Sequence, residues 1–223
     1  MTKPYFRQVP NLDYVSRTAE NKAISDYIPV KNLFKKGKLR EDIFGNLNFF
    51  TKYKIVGDER PDNVAYKIYN DETLDWVVLL SNNILNVQTE WPLSQTSFDT
   101  VMLEKYESYA NLNATHHYET VEVKNNAGAI IIPQGLQVPQ NYSVTYYDAS
   151  LGVEVTKTNI TREVTNLQYE EKIENDKRNI FILKPQYLNI IFNDLDDIMP
   201  YKKGSTQYVN ATLKRGDNIR LFE

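Results

Sequence analysis

Cysteine is absent from this sequence, which removes disulfide frameworks, thiolate metal sites and cysteine nucleophiles together. Histidine is scarce, with His116 and His117 the only two. On a regular strand adjacent side chains point to opposite faces, so without a bend this pair neither chelates one metal nor forms a relay. Eight glycines in 223 residues build no phosphate-binding loop, no dinucleotide fingerprint and no Gly-x-Ser-x-Gly elbow. No run of about eighteen uncharged apolar residues occurs, and Met1-Thr2-Lys3-Pro4-Tyr5 lacks the apolar centre of a secretion signal. These absences predict a protein of the cell interior that neither spans a membrane nor is exported by the usual route. Positive charge is not in excess either. A formal net charge of −3 and a pI near 5.6 give no global attraction for nucleic acid or an anionic membrane.

What is present is tyrosine: 16, against 9 Phe and 2 Trp. Tyrosine joins a large apolar ring to a polar tip that can stay wet, and it is enriched at protein interfaces. The first fifty residues show little periodicity, carry Pro4, Pro10 and Pro29, and scatter aromatic side chains among polar ones. Such a segment reads as an extended arm that wraps over a neighbouring domain or orders on a partner. Tyr5, Phe6, Tyr14, Tyr27 and Phe34 are its candidate partner-binding residues. Lys35, Lys36, Lys38 and Arg40 form a basic cluster, which Glu41 and Asp42 turn into a solvated face rather than a phosphate site.

Further along, residues 52–56 alternate like a strand and Gly57-Asp58 is a turn. Pro61 suits the first position of a helix that buries Val64, Ala65 and Ile68. Thr73 is placed to cap a second helix burying Leu74, Val77, Val78 and Leu80, ending at Ser81-Asn82-Asn83. After the break at Trp91-Pro92, Ser94 or Thr96 caps a third, with Phe98, Val101, Met102 and Tyr106 on one stripe. Short strands across 118–160, divided by turns, predict a small antiparallel sheet. Then come an exposed helix over 165–177, a buried strand Asn179–Leu183, and a helix opened by Pro185. That helix has Tyr187, Leu188, Ile191, Phe192, Leu195 and Ile198 on one face. A strand-like pattern at 218–222 ends the chain. The expected class is α+β, in four segments: an arm (1–51), a core with its following helix (52–110), a β region (111–164) and a C-terminal helical segment with tail (165–223).

Catalytic and metal chemistry finds little support. Asn193, Asp194, Asp196 and Asp197 resemble fragments of a calcium loop, but the required glycine and terminal glutamate are missing. They read as the solvated face of the last helix. Sequons at Asn113, Asn141, Asn159 and Asn210 are coincidental without an export signal. The expectation is no enzyme, with no catalytic residue, cofactor or metal.

The pattern Tyr53-x-Ile55, Gly57-Asp58, Val64-Ala65-x-x-Ile68-Tyr69, Leu74 and Asn82 resembles the first three elements of a LysM module. That resemblance implies a strand-helix-helix core. It also implies binding of N-acetylglucosamine polymers through loops that here contain Gly57, Asp58, Glu59 and Arg60, and Ser81, Asn82, Asn83 and Ile84. No closing Gly-x-x-Leu-x-Ile strand follows within a short distance of Asn82. A wider set is similar to the LysM-related baseplate wedge subunits of contractile-tailed myophages, the gene-product-fifty-three type. It comprises Arg60-Pro61, Ala65, Ile68-Tyr69, Trp76-Val77-Val78-Leu79-Leu80, Asn82-Asn83, Trp91, Ser94-Gln95, Lys105-Tyr106, Phe192-Asn193-Asp194-Leu195 and Ile198-Met199. This second resemblance implies a structural virion protein, one copy per wedge in a sixfold baseplate. Such a protein binds other wedge proteins and the sheath-initiating subunit and helps join adjacent wedges. It takes no nucleic acid, membrane or small-molecule substrate, and it resides in the virion tail baseplate and, during assembly, in the host cytoplasm. The alternative is a carbohydrate-binding module for peptidoglycan or chitin, with Gly57, Asp58, Ser81, Asn82 and Asn83 as ligand contacts. A wall-degrading enzyme ranks below both.

Overall fold

A computed structural model describes residues 3–14, 27–204 and 206–215; the strand-like pattern at 218–222 lies outside them. The chain forms two compact units, one from the described residues up to Trp91 together with those from Asn179 onward, the other from Pro92 to Arg178. This division differs from four consecutive segments. The helix Gln95–Tyr106 groups with the strands after it, and the strand Asn179–Leu183 returns to the first unit.

In the first unit the strand Phe50–Lys54 leads into a turn where Gly57 has φ +61°, a conformation glycine adopts without strain. The helix Pro61–Tyr69 starts on its proline and stops at Asn70 in the left-handed region, whose N–H donates to the Tyr66 carbonyl. The second helix, Asp75–Ser81, is preceded by a 3-10 turn, Glu72–Leu74. Asp71, not Thr73, is the capping side chain, and it caps this turn, while the helix itself starts after Leu74 with no side-chain cap. The Asp71 carboxylate accepts from the Thr73 N–H at 2.9 Å and from its hydroxyl at 2.7 Å, leaving Thr73 as a donor.

Asn179–Leu183 pairs antiparallel with Phe50–Lys54, Asn179 opposite Lys54 and Leu183 opposite Phe50. A strand more than a hundred residues further along the chain thus pairs with the one that precedes the two helices, giving a strand-helix-helix-strand arrangement. Ile180, Ile182 and Leu183 join Ile55, Val64, Ala65, Val77, Val78, Ile191 and Leu195 in one core. So do Val9, Leu39, Ile43 and Phe50. The described parts of the N-terminal region therefore wrap over this core, anchored chiefly by aliphatic residues rather than by the aromatics that stand out in the sequence. A four-stranded sheet ties the chain's two ends together, in the order Tyr208–Asn210, Leu213–Arg215, Asn11–Tyr14, Ile28–Lys31. Pro29 lies in its edge strand Ile28–Lys31 and removes a backbone donor there, which blunts edge-to-edge pairing.

The last helix, Leu188–Ile198, follows a 3-10 turn at Pro185–Tyr187 and buries Ile191 and Leu195, while Ile198 is exposed. Its acidic residues do not all face water. Asp196 pairs with Lys3 at 2.6 Å and Asp194 approaches Arg40 at 3.6 Å.

In the second unit Ser94 caps Gln95–Tyr106, and Phe98 and Met102 pack with Leu112, Leu93, Tyr106 and Leu167; Val101 is exposed. All strand pairings here are antiparallel, but they divide among three sheets instead of forming one. Thr115–Thr120 lies between Thr161–Thr165 and Gln137–Val138; Val123–Lys124 pairs with Ile130–Ile132, and Val144–Asp148 with Val153–Lys157. Pro133 and Pro139 directly follow two of these short strands and offer no N–H to extend a ladder. The helix Asn166–Lys177 begins with a capping box between Thr165 and Gln168.

Candidate assembly surface

The two histidines do not point apart. Val164 pairs with His117 but Thr165 with Thr115, so His116 is the extra residue of a β-bulge. That local bend brings the two Nδ1 atoms to 2.7 Å, where one must donate and the other accept. His116 stacks on Tyr169 at 4.0 Å, and His117 meets the same ring edge-on. His117 Nε2 also lies 3.3 Å from the buried carboxylate of Glu119, which accepts from Arg162 at 3.0 Å and Lys172 at 3.4 Å. The Arg162 guanidinium, aided by His117 and Lys172 and opposed by burial, holds the Glu119 carboxyl below its ordinary value.

The sign of the pH effect follows. Because the folded protein binds this proton less tightly than the unfolded chain, Glu119 stabilises fully above its unfolded value near 4.5. That contribution is lost as pH falls through the lower folded value. Glu119→Gln should cost about 1–3 kcal/mol at pH 7 and show a shallower acid-side loss of stability. Urea titrations at pH 7 and at more acidic pH check this; parallel curves for the two proteins would contradict it.

The loops singled out for glycan binding are largely engaged within the chain. The buried Ser81 hydroxyl donates to the Val77 carbonyl at 2.7 Å. The Asn82 amide nitrogen donates to the carbonyls of Val78 and Phe181, each at 2.8 Å, and its oxygen accepts from the Phe181 N–H at 2.8 Å. Asn82 thus clamps the end of the second helix to the closing strand. Gly57, Asp58 and Asn83 are exposed. Beside them, Glu59 accepts from the Tyr53 hydroxyl and the Val56 N–H and pairs with Lys67, while its carbonyl accepts from the Trp91 indole at 2.9 Å.

The basic cluster is mostly paired as well. Lys35 donates to the Pro200 carbonyl and covers the Tyr201 ring; Lys38 pairs with Glu41, and Arg40 with Asp42.

Of the arm's aromatics, Tyr27 lies under the Arg215 guanidinium at 4.7 Å. The Tyr5 hydroxyl accepts from the Gly37 N–H at 2.8 Å, and its ring packs beside Trp76 at 5.8 Å. Phe6, Tyr14 and Phe34 are exposed, Phe34 to 96%. Tyr5 and Phe6 also line an open groove of about 840 Å³, completed by Trp76, Leu79, Leu80, Ile84 and Leu85. Of these last residues, only Ile84 falls in a stretch that the sequence marks as ligand-facing. The available signal was Trp76 to Leu80, five consecutive apolar residues that surround a short helix on every side, so that some must face away from the core.

Residues 5–128 match the protein family described as base plate wedge protein 53. The chain is also similar to the baseplate wedge protein gp53 of Enterobacteria phage T4, 24% identical over 206 residues that cover 87% of this chain and 95% of that protein. The matched span holds most of the wrapping segment, the strand Phe50–Lys54, both helices of the first core and every residue of the groove except Pro4. With more than half of its length matched, the chain belongs to the base plate wedge protein 53 family, the structural wedge components of phage tail baseplates.

Proposed function

We propose that this wedge protein works through contact alone. It binds other wedge proteins and the sheath-initiating subunit, takes its place in a sixfold assembly and helps join adjacent wedges, after folding in the host cytoplasm. The observation that carries the reading is apolar surface left uncovered by the chain's own fold: Phe34 is 96% exposed, Leu33 70%, and an apolar groove stands open nearby in sequence. Isolated exposed apolar residues are ordinary, but an aromatic side chain with almost no internal packing, together with a groove, is what an assembling subunit presents.

The strand-helix-helix-strand arrangement is read as a LysM-like core whose closing strand is Asn179–Leu183. The internal engagement of Ser81 and Asn82 supports its use as a scaffold rather than a glycan site. A phage with a stop codon in this reading frame should yield particles lacking complete baseplates, restored when the chain is supplied in trans. Undiminished yields of contractile, infectious particles would overturn the proposal.

A further inference from the structure

The groove in the first unit is lined by apolar side chains and by charges of each sign that come from different segments of the chain. Leu79, Leu80 and Ile84 line it, with Trp76 held in place by its indole N–H donating to the Lys3 carbonyl at 3.1 Å. Arg7, Lys31 and Lys36 come from the N-terminal segments that line it, whereas Glu72 and Asp75 come from the entrance to the helix Asp75–Ser81. Lys31 is occupied, donating to the Val9 carbonyl at 2.8 Å. Among the described residues no ion pair involves Arg7, Lys36, Glu72 or Asp75. Burial, aided by the nearby Asp62 charge, holds the Asp75 carboxyl above its ordinary value despite a hydrogen bond from the Trp76 N–H, so a cation from outside would gain by pairing with it. Cations from the N-terminal segments, carboxylates from the entrance to the helix Asp75–Ser81 and apolar lining around about 840 Å³ define the complement.

Resting on the assembly reading above, we infer that this groove docks an amphipathic segment of another wedge protein. That segment sets two or three apolar side chains on the apolar lining, a carboxylate against Arg7 and Lys36, and a lysine or arginine against Glu72 and Asp75. A neutral apolar small molecule would leave both sets of charges unanswered.

The test uses the full chain and three fluorescent helical peptides with the same leucines at i, i+3, i+4 and i+7. One carries glutamates on one flank and lysines on the other; the second carries glutamates on both flanks, the third lysines on both. The mixed peptide should bind about tenfold more tightly than either single-sign peptide. Phe6→Asp and Leu85→Asp, at exposed positions and with unchanged melting, should each weaken it by about tenfold. Arg7→Glu combined with Lys36→Glu should shift the preference to the all-lysine peptide. Equal binding of all three peptides, or indifference to these substitutions, would overturn the inference. So would self-association of the chain that the same substitutions abolish, since the occupant would then be a second copy. If Phe6→Asp and Leu85→Asp proteins still co-migrate with the other wedge proteins as tightly as the parent chain, the groove is refuted and the assembly reading stands. If the parent chain itself fails to co-migrate, the assembly reading falls.

Discussion

Leu183→Asp is expected to unfold the first unit, with a loss of more than about 4 kcal/mol. Leu183 is fully buried, pairs with Phe50 across the two-stranded sheet, and its carbonyl accepts from the Tyr69 hydroxyl at 2.9 Å. Burial pushes that phenol far above its ordinary range, so it remains a donor at any working pH. The substitution removes a core side chain and places a carboxylate among the apolar side chains of the first core. Since a whole domain is stable by only about 5–15 kcal/mol, this one change consumes much of the margin. Both tryptophans of the chain, Trp76 and Trp91, are buried in the first unit, so their fluorescence during urea titration reports this unit selectively. A shift of less than about 1 kcal/mol would mean that Asn179–Leu183 does not close the core.

Asn82→Ala should cost about 2–4 kcal/mol, because three hydrogen bonds disappear and the Phe181 N–H and two carbonyls lose a partner. Asn82→Asp should be at least as damaging, since a carboxylate cannot donate to the carbonyls of Val78 and Phe181. The same titration decides between two roles for this residue. A clamp predicts lost stability in both variants; a glycan ligand predicts unchanged stability and altered sedimentation with insoluble peptidoglycan.

These two residues also mark where the sequence was legible and where it was not. Local signals were readable: Gly57 at a turn, Pro61 opening a helix, Ser94 capping another, and the apolar run Asn179–Leu183 as a strand. The pairing of that strand with Phe50–Lys54 was not readable, because the second unit separates them in the chain and nothing local encodes a partner so distant. Asn82 marks a helix end in the sequence, but nothing local encodes the pairing of its amide with the distant Phe181 backbone. His116 and His117 defeated the alternation rule because a bulge is set by the register of the opposite strand, not by the histidines. The prolines and aromatics of the N-terminal region read as an arm, whereas its described parts pack on the core through Val9, Leu39 and Ile43, which no periodicity singles out. The groove shares that cause: its walls come from residues 4–7, 31–37 and 72–85, brought together only by folding.

The most direct test of the account mixes the purified chain with the other wedge proteins and follows the mixture by size-exclusion chromatography across a range of salt concentrations. A structural wedge subunit predicts a stable complex that elutes ahead of each component and contains this chain in fixed proportion. Separate elution at every salt concentration tested would contradict the account.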